Sequence, residues 1–224
     1  CVKSLSVELT QGQDADDYIE PDLAKWMEQI KQLKEKIADP NIIMEEQAQS
    51  SWIKQIKISE KSREIFEKVC GDVTVEDSGV VAIHGGTTTH TEIRGRNLYS
   101  TGIHNIRFKI DKSSSKWLFF GIISSSTPMK AQSYSSPSAY GWVVRRAEVW
   151  LNGVRSNGYG VSDGDICEND TVELTLNCDE KTVQCLNERT KKKYEVQVDV
   201  TSCPYPWQFH LNLYYANDRV SICS

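Results

Sequence analysis

Histidine is scarce in this chain. His84, His90, His104 and His210 are the whole set, and no two stand in the H-E-x-x-H spacing that holds a catalytic zinc. No two of the seven cysteines are spaced C-x-x-C, so finger- and RING-type zinc sites lack their paired ligands. An odd number of cysteines reads as thiols in a reducing compartment rather than as a disulfide frame, and a cytoplasmic location is the expectation. No G-x-S-x-G elbow is read, so serine-hydrolase chemistry has no starting point. Gly158 and Gly160 form a lone pair with no helix predicted after them, which is not a phosphate cradle. Carboxylates such as Glu92, Glu148 and Glu173 fit solvent-facing strand positions, whereas a glycosidase needs two of them facing across a cleft. The expectation is a protein that is no enzyme and needs no cofactor or metal.

Long apolar runs are also missing. None approaches the roughly 18 residues that span a bilayer, and no basic-then-apolar leader opens the chain. No membrane is expected as a partner. The charge balance, 26 Lys+Arg against 31 Asp+Glu, gives no basic stripe, so no nucleic acid is expected either. The first residue is Cys1 rather than Met, so the chain is expected to be a piece of something longer.

What is present begins with a heptad frame. Val2, Leu5, Leu9, Ile19, Leu23, Trp26, Ile30, Leu33 and Ile37 all fall on its two seam series, and only Gly12 and Asp16 break it. A frame kept across that break predicts a helical coiled-coil arm over residues 1–40, able to pair two copies of the chain. The alternative is an amphipathic helix packed on its own domain. Pro21 suits the first turn of a helix and Pro40 lies just past its end. Residues 41–51 are polar and read as a linker.

From Trp52 the period changes. Residues 52–58 alternate as a half-exposed strand does, and residues 62–69 suggest one short helix with Ile65, Phe66 and Val69 on one side. After Gly71, short runs rich in Val, Ile, Thr and aromatics recur with turn signals between them. Asn152–Gly153 is the strongest two-residue hairpin signal, joining Val149–Trp150–Leu151 to Val154–Arg155. Many short strands without long helices between them predict an antiparallel β-sandwich over residues 52–224.

The stretch from Trp117 to Trp150 organises that sandwich. Two apolar strands, around Phe119–Phe120 and Tyr140–Trp142, flank a loop over residues 124–138 with seven serines and two prolines. A loop that long inside a compact domain tends to be functional. Tyr, Trp and Arg are the side chains that most often anchor interfaces, so the candidate binding residues are Tyr134, Tyr140, Trp142, Arg145, Arg146, Trp150, Arg155 and Tyr159. Trp142 equally reads as core, and for Trp150 and the two adjacent arginines a core or solvated role stands beside the binding one.

Six stretches carry a family resemblance, in order. They are Tyr99 to Ile110, Lys116–Trp117–Leu118–Phe119–Phe120–Gly121–Ile122, Tyr140–Gly141–Trp142, the strand and turn of residues 169–179, the strand of residues 181–187, and Tyr205–Pro206–Trp207–Gln208–Phe209–His210–Leu211. Together they resemble the SPRY family of β-sandwich domains. Asn169–Asp170 stands where the family has Gly-Asp, and Asn187–Glu188 where it has Asn-Gly. The resemblance implies a mainly β fold, a concanavalin-type jelly roll, and non-catalytic recognition of a protein or peptide through the loops. A coiled coil ahead of such a domain is similar to the C-terminal half of tripartite-motif proteins. That implies the substrate-recognition end of a ubiquitin-ligase-type protein, whose zinc modules are not in this chain. The alternative function is a carbohydrate-binding, lectin-like sandwich.

Overall fold

A computed structural model describes residues 25–32, 63–114, 117–144, 146, 148–157 and 159–223. The chain divides into two units, residues 1–61 and 62–224. In the first unit, residues 25–32 form a helix with every residue exposed. Trp26, Met27 and Ile30 are 64%, 64% and 47% exposed. The rest of the predicted arm, the linker and the strand expected at residues 52–58 lie outside the described residues.

The second unit is built from two antiparallel sheets, with strands numbered in chain order. One sheet runs, edge to edge, β1 (Phe66–Cys70), β4 (Thr91–Gly95), β13 (Trp207–Leu213), β6 (Phe119–Ser124), β7 (Tyr140–Val143), β8 (Val149–Leu151) and β9 (Val154–Ser156). The other runs β12 (Lys193–Gln197), β11 (Thr182–Asn187), β10 (Thr171–Asn177), β5 (Ile103–Lys112), β14 (Arg219–Ile222), β3 (Val81–His84) and β2 (Val73–Glu76).

The two sheets differ in how they treat water. In β10 and β11 every second residue is buried, the signature of one dry and one wet face. In β6 and β13 every residue is buried. One face of those strands meets the core, where Phe108 packs against Phe120 and Phe209 with ring centroids 5.1 and 5.3 Å apart. The other face lies under the Ser/Pro loop. β6 and β7 pair with Gly121 opposite Gly141, and a Cβ on Gly121 would stand 1.9 Å from the Tyr140 carbonyl oxygen.

The Asn152–Gly153 hairpin forms as expected. Both residues have positive φ, 53° and 69°, which a type I′ turn demands. The short helix expected over residues 62–69 does not form, because Phe66–Cys70 is a strand. Phe66 pairs with Gly95 and is 2% exposed, while Val69 turns outward at 44%. A short apolar run fits either period, and here the hydrogen bonds of a sheet edge outweigh local preference.

Candidate functional site

The outer face of the first sheet is unusual in carrying buried charge. Along β13, Phe209, Leu211 and Leu213 point into the core. Period-two alternation therefore puts Gln208, His210 and Asn212 on the opposite face. Glu92 and Arg94 of β4 join them. Arg94 Nε donates to Glu92 Oε1 at 2.6 Å, and the two side chains are 2% and 0% exposed. Its Nη1 and Nη2 donate to the carbonyls of Thr127 (2.8 Å) and Pro128 (3.3 Å). Glu92 Oε2 accepts from the Lys130 amide at 2.7 Å. Asn212 accepts from the Tyr134 amide at 2.8 Å and donates to the Ala131 carbonyl at 2.9 Å. The loop over residues 125–139 is thus fastened to the sheet by strand side chains.

Ser133 sits at the centre of this layer. Its hydroxyl donates to Asn212 Oδ1 (3.2 Å) and lies 2.7 Å from His210 Nε2. With its one proton given to Asn212, the hydroxyl accepts from His210, which places the imidazole proton on Nε2. Burial, and then the Arg94 charge, hold the His210 pKa well below the ordinary histidine value, so the ring is neutral. Ser133, His210 and Glu92 do not make a Ser–His–acid set. Glu92 approaches Nε2, at 3.6 Å, rather than Nδ1, and Ser133 is fully buried. Gly160–Val161–Ser162–Asp163–Gly164 does have the letters G-x-S-x-G, which the sequence reading passed over. Here they form a turn with no helix after it, and the Ser162 amide donates to Asp165 Oδ2 at 2.7 Å. An elbow needs a strand-to-helix turn that lifts the serine.

Beside the pinned loop lies an aromatic patch. Tyr134 rides on the 3-10 turn Ser133–Ser135. Its ring meets Trp150 edge-on at 5.0 Å and Trp117 at 4.7 Å. His90 sits among Trp117, Tyr134 and Tyr214 with centroids 4.6, 4.9 and 4.5 Å away. Trp117, Phe119, Ala139 and Val143 form the buried floor. Tyr134, Trp150, His90 and Tyr214 are half-buried. The buried Trp150 Nε1 has no hydrogen-bond partner among the described residues. Burial, helped by the charge of His84, lowers the His90 pKa and keeps that ring neutral as well.

Charge borders the patch. Glu148 is only 7% exposed at its side chain and takes Arg146 at 3.3 Å and Arg155 at 3.4 Å, which are 43% and 58% exposed. Arg155 is the cross-strand partner of Trp150. The structure therefore brings together Tyr134, Trp150, Arg146 and Arg155 of the sequence candidates. Arg145 lies outside the described residues. Tyr159 is exposed at 40%, with no ring contact to the patch.

Tyr140 and Trp142 do not belong to the surface. They are 2% and 0% exposed, and Trp142 stacks on Phe120 at 6.0 Å inside the core. Alternation along β7 turns these two inward and leaves Val143 to the patch. Sequence reasoning missed His90, Trp117 and Tyr214. Trp117 precedes its strand and Tyr214 follows the end of β13, so each was absorbed into a longer apolar run than the sheet uses.

The fold has counterparts among solved structures. The SPRY domain of human HERC1 aligns over 71% of this chain and 97% of its own, with TM-score 0.56 and 15% identity. The TRIM65 PSpry domain aligns over 72% of this chain and 92% of its own, with TM-score 0.53 and 10% identity. Stonustoxin aligns over 72% of this chain but 28% of its own, with TM-score 0.55 and 9% identity. No family model and no curated protein matches the chain by sequence. The sandwich has the SPRY fold.

Proposed function

We propose that this chain is a non-catalytic recognition module that binds a protein or peptide on the patch of Tyr134, Trp150 and Tyr214 beside Arg146 and Arg155. The observation that carries the reading is a half-buried ring cluster around Tyr134, on a loop whose backbone is tied down by buried side chains. Rings of this kind bury large area with few rotors to freeze, and a preset loop lowers the entropy lost on binding. The SPRY fold supports recognition over catalysis. Six described cysteines without disulfides support a cytoplasmic setting. The heptad frame of residues 1–40, with Trp26 and Ile30 exposed on the described turn, supports self-association of two chains. Bivalency of that kind would raise avidity. An upstream ligase module of the tripartite-motif kind fits the same arrangement.

The test is to pan a random-peptide phage library on the full chain. Selected peptides should bind wild type and lose about tenfold or more in affinity to Trp150→Ala and Tyr134→Ala. An absence of enrichment, or equal binding to both variants, overturns the assignment.

A further inference from the structure

The rim of the patch is also a sheet edge. β9 ends its sheet, and no described strand pairs with its outer side. A two-residue type I′ hairpin closes on a hydrogen-bonded pair, here Leu151 with Val154. The next pair, Trp150 with Arg155, is then a non-hydrogen-bonded one. The ladder beyond agrees: the Val143 amide donates to the Glu148 carbonyl, which makes Trp150 the bonded partner of Gly141 two residues on. The Arg155 N–H and C=O consequently point away from β8, toward the open side.

Side chains on this edge divide by face. Arg155 shares its face with Trp150 and Glu148, the face of the patch. Val154 points to the other face and is 63% exposed. Arg155, 58% exposed, and Arg146 both reach the Glu148 carboxylate and place guanidinium groups on this rim.

We infer that the ligand is an extended acidic peptide segment that adds to the outer edge of β9. Its backbone pairs with Arg155 N–H and C=O, its carboxylate side chains lie on the patch face beside Arg155, and its intervening apolar side chains lie against Val154. The inference rests on the recognition reading and specifies its ligand. A strand alternating acidic and apolar residues matches both faces of this edge at once.

Peptides selected on the full chain decide it. The inference expects Asp or Glu at alternate positions. It expects about tenfold weaker binding to Arg155→Glu, most of the affinity kept in Arg155→Lys, and weakening as salt rises. It also expects one backbone N-methyl group in the peptide, at the residue facing Arg155, to weaken binding about tenfold. Circular dichroism melts of both variants check that the fold is unchanged. Peptides without acidic residues, indifference to Arg155→Glu, or indifference to N-methylation at every position overturn the inference. If those peptides still require Trp150, the recognition reading stands without it. If nothing is selected, both fall.

Discussion

His210 and Ser133 meet at 2.7 Å beneath the Ser/Pro loop, 77 residues apart in the chain and both fully buried. The contact joins a strand of the sheet to a turn of the loop. It is one of several by which β4 and β13 dictate where that loop runs.

Arg94→Ala should cost about 3–5 kcal/mol of stability, because it leaves the Glu92 carboxylate buried without its cation. Denaturant unfolding measures this. The double change Glu92→Gln with Arg94→Met should cost less than Arg94→Ala alone. Hydrogen exchange at Lys130, whose amide bonds Glu92, should speed up in Arg94→Ala.

The neutral state of His210 gives a pH dependence with a definite sign. Its folded pKa lies well below the unfolded value of about 6.5. Above that value neither state carries the proton and stability does not change on this account. As pH falls below it, the unfolded chain takes up the proton first, so stability declines until the folded pKa is reached. His90 is shifted in the same direction and adds to the slope. Glu64, raised by burial, acts oppositely, losing stability as pH climbs from 4.5 through its folded pKa. Urea midpoints from pH 7 to 5 should therefore fall less in His210→Gln than in wild type.

The residues sorted by burial should respond differently to truncation. Trp142→Ala should lose about 3–5 kcal/mol, having no exposure and a core ring stack. Tyr159→Ala should stay within about 0.5 kcal/mol of wild type. Thermal melts of the two variants would show whether the line between core and surface is drawn correctly.

Gly121→Ala should cost about 3 kcal/mol or more, since a methyl there meets a backbone oxygen rather than a flexible side chain. Loss of soluble folded protein is the expected readout. A melt within two or three degrees of wild type would contradict the strand spacing at the centre of the sheet.

The sandwich was legible because its strands announce themselves. β10 and β11 alternate cleanly, and Asn152–Gly153 names its own turn. β6 and β13 were legible as strands, but their second face was not. Nothing in His210 and Asn212 says that a loop 77 to 81 residues away covers them. For the same reason, the candidate site was only half visible. Tyr134, Trp150 and the arginines sit close in sequence, whereas His90, Trp117 and Tyr214 join them only through sheet order. Tyr140 and Trp142 were drawn into the list by composition, and alternation along β7 assigns them to the core.

The side chains that fasten the Ser/Pro loop belong to β4 and β13, and they grip mostly its backbone, at Thr127, Pro128, Lys130, Ala131 and Tyr134. The loop's outward residues, Lys130, Gln132, Ser135 and Pro137, are exposed. Path and lettering are therefore encoded in different places. Such a loop can exchange its outward side chains, and with them its ligand, while keeping its shape, and a change of shape would have to begin inside the strands.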